Sequence, residues 1–230
     1  MHTKRMVCLA NSRKYGGRCI AGKELIAGRP GKWIRPISDR ECGEVAECER
    51  QYEDGTEPCV LDIVDVPLLR PQPHSYQQEN WLLDPNWYWV KAGRASWTGL
   101  QRLVDPVSPL WMDGYSSFTG SNDKIPLERA DELRDSLRLI STKSLTLAVF
   151  APGQAFGNPK RRVQARFRYA AREYRLWVTD PVYEGTYLER PDGEYPLGEC
   201  FLTVSLGEPF EGYCYKLVAA IIQDGEGREP

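Results

Sequence analysis

The segment 160–179, KRRVQARFRYAAREYRLWVT, constrains the fold more than any other part of the chain. In its first half Val163, Ala165, Phe167 and Tyr169 alternate with Arg162, Gln164, Arg166 and Arg168. In its second half Tyr174, Leu176 and Val178 alternate with Glu173, Arg175 and Trp177. Period-two alternation in both halves identifies a ribbon of two half-buried strands. Reversal around Ala170-Ala171 sets Phe167 opposite Tyr174, Ala165 opposite Leu176 and Val163 opposite Val178. The other face then carries Arg166 opposite Arg175, Arg168 opposite Glu173 and Gln164 opposite Trp177. A slip of one residue would turn the apolar set outward, so this register is specified by both faces at once. Like charges directly opposite each other destabilise a ribbon. An anion between Arg166 and Arg175 is one resolution. A solvated face on which the long Arg stems cover apolar surface is the other.

The rest of the chain reads as more strands and few helices. A basic meander opens it: strands at 4–9, 18–25 and 33–37, with turns at NSRKYGG (11–17) and GRPG (28–31). Pro36 places the third of these at an edge or an end. VLDIVDV (60–66) is a further strand, and a Pro- and Gln-rich connector follows it. Short helices are expected at 45–52, 98–104, 125–134 and, as a turn or helix, at 180–188. The alternation Leu145, Leu147, Val149 marks a strand within 136–150, and the final strands fall at 202–206 and 213–222. The pattern predicts a mainly β protein of two small barrels in tandem with short helices, residues 1–135 forming the first and 136–230 the second. Five large rings (Trp81, Trp87, Tyr88, Trp89 and Trp97) fall within seventeen residues. Such rings pack small β cores, and more rarely they stack on bases.

The formal net charge of −2 hides three blocks. Residues 1–40 carry +8, residues 41–65 carry −8 and residues 160–175 carry +6. Blocks of this size shape the local field whatever the total. The acidic block either neutralises the basic one within the fold or leaves two basic surfaces facing a polyanion. The sequence isoelectric point of about 5.9 weighs against a strong general nucleic-acid binder. Seven widely spaced cysteines without a C-x-x-C pair are expected to be reduced thiols, with Cys8, Cys200 and Cys214 in the core. No apolar run reaches membrane-spanning length, and the basic N-terminus lacks the apolar stretch of a signal peptide. A cytoplasmic location is the expectation.

Several segments together carry a family resemblance: NSRK with GRCIAGKEL at 11–25, WIRPIS at 33–38, ENWLLD at 79–84, VTDP at 178–181 and VSLGEPFEGYCYKLVAAII at 204–222. Spread over nearly the whole chain, they resemble the bacterial dual-OB-domain family. The resemblance implies two OB-like barrels and a nucleic-acid-binding component, often beside prokaryotic antiviral systems, where a protein partner encoded nearby is also expected. It implies no catalytic residues.

Enzyme readings find little support in the residues. His2 and His74 are the only histidines, so a Ser-His-Asp or Cys-His arrangement has few sources. No P-loop and no H-E-x-x-H motif occurs. Asp62 and Asp65 beside the acidic block leave a metal-dependent nuclease as a minor alternative. Neither cofactor nor metal is expected. The binding reading has a mechanism: OB folds hold single strands with a basic groove for phosphates and rings for bases. Arg13, Lys14, Arg18, Lys23, Trp33 and Arg35 are the candidates in the first half, and Arg162, Arg166, Arg168, Arg175 and Trp177 in the second. A protein–protein adaptor using the same barrels is the rival.

Overall fold

A computed structural model describes residues 2–106 and 108–225. Packing divides the chain into two units: Met1–Leu103 with Arg134–Ser136, and Val104–Leu133 with Leu137–Asp224. Residues 104–133 pack with the second unit, so this division comes earlier in the chain than the expected boundary at 135.

The first unit begins with β1 (His2–Lys14), β2 (Gly17–Ile26) and β3 (Arg29–Ile37), an antiparallel meander. It continues with β4 (Asp62–Pro71), β5 (Asn80–Leu83), β6 (Val90–Arg94) and the single turn α1 (Trp97–Leu100). β4 pairs with β1, β5 and β6. β3 meets β5 in parallel, Arg35 opposite Asn80 and Ile37 opposite Leu82. The circuit β1-β2-β3-β5-β4-β1 is therefore closed, with one parallel seam. Closure removes the exposed edges that make sheets stick to one another. Alternate residues Met6, Cys8, Ile20, Ile34, Val64, Val66 and Leu68 point into its core, where Trp89 is 1% exposed.

The connection at 38–61 forms no regular helix; only Glu47–Glu49 makes a 3-10 turn where a helix over 45–52 was expected. Side chains hold it instead. Val45 and Tyr52 plug the core. Arg50 donates to the carbonyl of Val45 (2.9 Å) and to both oxygens of Glu57 (2.9 and 3.0 Å). Tyr52 donates to Asp62 Oδ2 at 3.1 Å.

The second unit contains β7 (Lys124–Pro126), α2 (Leu127–Ala130), β8 (Leu137–Phe150), β9 (Arg162–Tyr169), β10 (Arg172–Val178), α3 (Pro181–Leu188), β11 (Gly193–Phe210) and β12 (Tyr213–Ile222). β8–β9, β9–β10, β12–β11 and β11–β8 are antiparallel, and β10 closes onto β12 in parallel. The circuit repeats that of the first unit. The observed ribbon register matches the expected one from Phe167–Tyr174 to Gln164–Trp177. α3 starts at Asp180, whose Oδ1 accepts from Val182 N (3.1 Å) and Tyr183 N (3.4 Å), with Pro181 in the first turn. Capping and a preset proline explain why this helix forms.

Two expectations fail for tertiary reasons. The predicted helix over 125–134 is four residues long, because Lys124–Pro126 is drawn into strand pairing with β12 and Ile125 is fully buried. The predicted strand at 202–206 runs from 193 to 210, through register breaks near Gly198 and between Leu206 and Pro209. Bulges let one long strand bend around a barrel.

The hairpin turns share a backbone form but not a composition. Ala27-Gly28 (φ +49°, +75°), Ala170-Ala171 (+47°, +61°) and Glu211-Gly212 (+49°, +77°) all have positive φ at both central residues. Tight hairpins favour this geometry, and Asn-Gly suits it best. Only the ribbon turn lacks a glycine. Replacing Ala170-Ala171 by Asn-Gly should stabilise the protein by about 1–2 kcal/mol in urea denaturation, since each L-residue held left-handed costs about that much. An unchanged or lower midpoint would mean that the turn is not strained.

Lys216 on β12 is 1% exposed. Its Nζ donates to the carbonyl of Met112 (2.5 Å) and lies 3.4 Å from Asp113 Oδ1, which also accepts from Tyr174 OH (2.8 Å). Burial pulls the ammonium down to about 8, while Asp113 opposes the shift. Between about pH 8 and 10.5 the unfolded chain therefore binds a proton that the native state has released, and stability rises with pH. Burial raises Tyr174 and Tyr52 above the usual tyrosine range, so stability falls again once unfolded tyrosines ionise above about pH 10. Lys216→Met should flatten the rise between pH 8 and 9.5, read as the urea midpoint at each pH. A variant that retained the full slope would place the titration elsewhere.

Candidate functional site

In the second barrel, strands β9 and β10 turn their apolar set inward and leave an outer face of arginines and one indole. The Arg162 guanidinium lies 4.0 Å from the Trp177 ring centroid. Trp177 lies 5.7 Å from Phe150 at the end of β8, and Arg166 lies 5.8 Å from that same Phe150 ring. Arg162, Trp177, Phe150 and Arg166 thus form one series in which two adjacent rings are flanked by two cations. Phe150 was missed in the sequence, although it falls out of phase with Leu145, Leu147 and Val149 and so belongs on their opposite face.

Arg166 and Arg175 are directly opposite, as expected, but no anion is needed to reconcile them. Arg166 pairs with Glu194 of β11 and donates to Gln164 (3.0 Å). Arg175 pairs with Glu173 two residues before it, at 2.7–2.8 Å. Each guanidinium has its own carboxylate. Arg168 is exposed and, among the described residues, makes no ion pair.

Part of this face is covered by a strap that the sequence did not reveal. Residues 117–123 run along the edge of β10. Ser121 and Arg175 exchange two backbone hydrogen bonds (3.1 and 3.3 Å). Asn122 Nδ2 donates to the Glu173 carbonyl (2.9 Å), and Gln164 Nε2 donates to the Thr119 carbonyl (2.8 Å). Asp123, 2% exposed, gathers the strap by accepting from the amide and hydroxyl of Ser117. Gln164 is consequently 1% exposed. The strap carries Phe118 outward, 90% exposed, and Phe156 of the β8–β9 loop stands 6.4 Å from it, 80% exposed. A short polar run such as SSFTGSND has no periodicity, so nothing local announces its place.

The first barrel disposes of its candidates differently. Arg13, Lys14 and Arg18 flank the β1–β2 turn, with Arg13 opposite Arg18. Lys23 and Trp33 are cross-strand partners, Nζ 5.5 Å from the ring, and Lys23 is 7% exposed. Arg35 is 3% exposed; its Nη2 lies 2.8 Å from Ser136 Oγ and 3.2 Å from Glu79 Oε1. A guanidinium committed to a buried carboxylate is withdrawn from phosphate recognition, because removing either partner strands the other charge. The outer face of β2 and β3 is thus not the open basic trough that its composition implied.

The acidic candidates are likewise occupied. Asp62, fully buried, accepts from Tyr52, from the Cys59 amide (3.0 Å) and from Arg94 (3.1 Å), with Lys91 at 3.0 Å. Asp65 makes a two-pronged pair with Arg5 at 2.7–2.8 Å. Among the described residues no group of three or more His, Cys, Asp or Glu is placed to hold a metal ion. The aromatic cluster divides: Trp89 is core, Trp81 packs beside it under Lys4 (4.5 Å), and Trp87 and Tyr88 are each 58% exposed.

No described helix is long and apolar enough to cross a membrane. What the geometry offers is a pair of closed five-stranded barrels, with a cation–ring series on one of them, Phe150 on its first strand and the other members on its second and third. Those strands are where OB folds engage their ligands. No curated protein and no solved structure matches the chain. The family profile described as Dual OB-containing domain matches residues 4–221. The chain belongs to the Dual OB-containing domain family.

Proposed function

We propose that the protein is a non-enzymatic binder of single-stranded nucleic acid, working through the outer face of β9 and β10. The observation that carries this reading is the series Arg162, Trp177, Phe150 and Arg166 on β8, β9 and β10 of the second barrel. Rings flanked by guanidinium groups accept unpaired bases, whose faces are free to stack, and duplex bases are not. Lys160 and Arg168 are exposed on the same ribbon and supply phosphate contacts. Arg13, Lys14 and Arg18 at the tip of the first barrel are a second, smaller source. An accessory role beside prokaryotic antiviral systems rests on the family resemblance alone.

Because carboxylates neutralise Arg166 and Arg175, the face presents few uncompensated cations. Three or four phosphate contacts imply a salt slope of only about −2 to −3 on a log–log plot. Fluorescence anisotropy with labelled single-stranded DNA and RNA at 50 mM salt tests the reading. Trp177→Ala should weaken binding about 5- to 150-fold, the equivalent of one lost stacking contact, in protein that is still folded at the assay temperature. Absence of binding at micromolar protein would remove the proposal. The rival, a protein–protein adaptor, draws on the exposed Glu41, Glu47 and Glu53 of the acidic connection and on the isoelectric point of about 5.9. A stoichiometric protein partner that survives nuclease treatment would favour it.

A further inference from the structure

Beside the ribbon turn, β8 carries an extra residue. Leu145 pairs with Gly198 and Thr142 with Cys200, so Lys143 and Ser144 together oppose the single residue Glu199. The Thr142 hydroxyl secures this bulge, lying 3.2 Å from the Ser144 carbonyl and 3.3 Å from the Arg168 carbonyl. The ladder between β8 and β9 runs from Phe150–Arg162 to Leu145–Phe167, and beyond it a notch of about 510 Å³ opens. Ser141, Lys143 and Ser144 line one wall, and Arg166, Arg168 and Tyr169 the other.

The charge in this notch is unbalanced. Lys143 and Arg168 are both exposed and, among the described residues, neither makes an ion pair. Glu173 is the one acid in the lining, and its carboxylate is held by Arg175. Two uncompensated cations converge on a concavity with two serine hydroxyls, and the guanidinium of Arg166 is already oriented by Gln164 and Glu194. Such a site favours a compact, doubly charged anion over the singly charged phosphodiester of a strand interior. The volume falls in the range of pockets that enclose small ligands, and it accommodates a nucleotide unit.

We propose that this notch is a phosphomonoester site, taking either the phosphorylated end of a strand or a free mononucleotide. For a strand end, the inference rests on the nucleic-acid reading above; for a free nucleotide it stands alone. The site lies where the β8–β9 ladder has ended at Leu145–Phe167, and the bulge of β8 against β11 places Lys143 and Ser144 in its lining.

Anisotropy with one labelled sequence carrying a 5′-phosphate, a 3′-phosphate or only hydroxyl ends, together with calorimetry using adenosine monophosphate, distinguishes the sources. Occupation by a strand end gives about tenfold tighter binding of one phosphorylated form, a difference of one charge-assisted contact. Lys143→Glu should abolish that preference but leave the affinity of the hydroxyl-ended strand within about threefold. Lys143→Ala should act in the same direction and controls for the reversed charge. Binding of the mononucleotide without any strand would support the notch and remove the reading of the previous section. Equal affinity for all three ends, no mononucleotide binding up to millimolar and an equal loss for every strand in the variants would overturn the notch alone.

Discussion

Each barrel depends on the short parallel seam between its third and fifth strands. In the second barrel the seam is two residue pairs, Trp177–Leu217 and Val178–Val218, extended by Thr179 N donating to the Val218 carbonyl at 2.9 Å. Asp180 then serves two elements: Oδ1 caps α3, and Oδ2 accepts from Ile221 N at 3.0 Å. One buried carboxylate, 2% exposed, thereby ties the helix start to the closing strand. In the first barrel the corresponding seam carries Arg35, Pro36 and Ile37 against 80–82. Without these contacts each sheet would present two free edges, and the outer face of the second and third strands would have no fixed curvature.

The seams also account for the different fates of two basic ribbons. In the first barrel the seam strand brings Arg35 beside Glu79 and Ser136, so a residue that composition assigns to a surface is spent on internal order. In the second barrel the seam strand carries Trp177 one residue before its end, and its ring remains half-buried under Arg162. Isolated ion pairs at a surface contribute little, but they do set how much positive field remains. Glu194 and Glu173 offset that of Arg166 and Arg175, whereas Arg168 and Lys143 make no ion pair among the described residues.

The strap at 117–123 reinforces this division. By extending the sheet beyond β10 through Ser121 and by sealing Gln164, it takes Gln164 out of the exposed face. A face that reads as one continuous basic stripe in sequence is interrupted at Gln164, and Arg166 is shared by the ring series and the notch.

Period-two alternation alone determined the ribbon, its register and its inward set, because a strand offers only two faces and one of them is apolar. At 180–188 the sequence left a turn and a short helix open; the Asp180 cap and Pro181, which act within a few residues, decide for the helix. The extent of β11, the loss of the helix at 125–134 and the irregular connection at 38–61 were not legible, since each is decided by pairing or packing with strands distant in the chain. The same holds for charge. A sequence shows how many arginines share a face, but whether a carboxylate from another strand reaches them depends on which strands become neighbours. Glu194 lies 28 residues from Arg166 and still holds it, because β8 places β9 and β11 on its two sides.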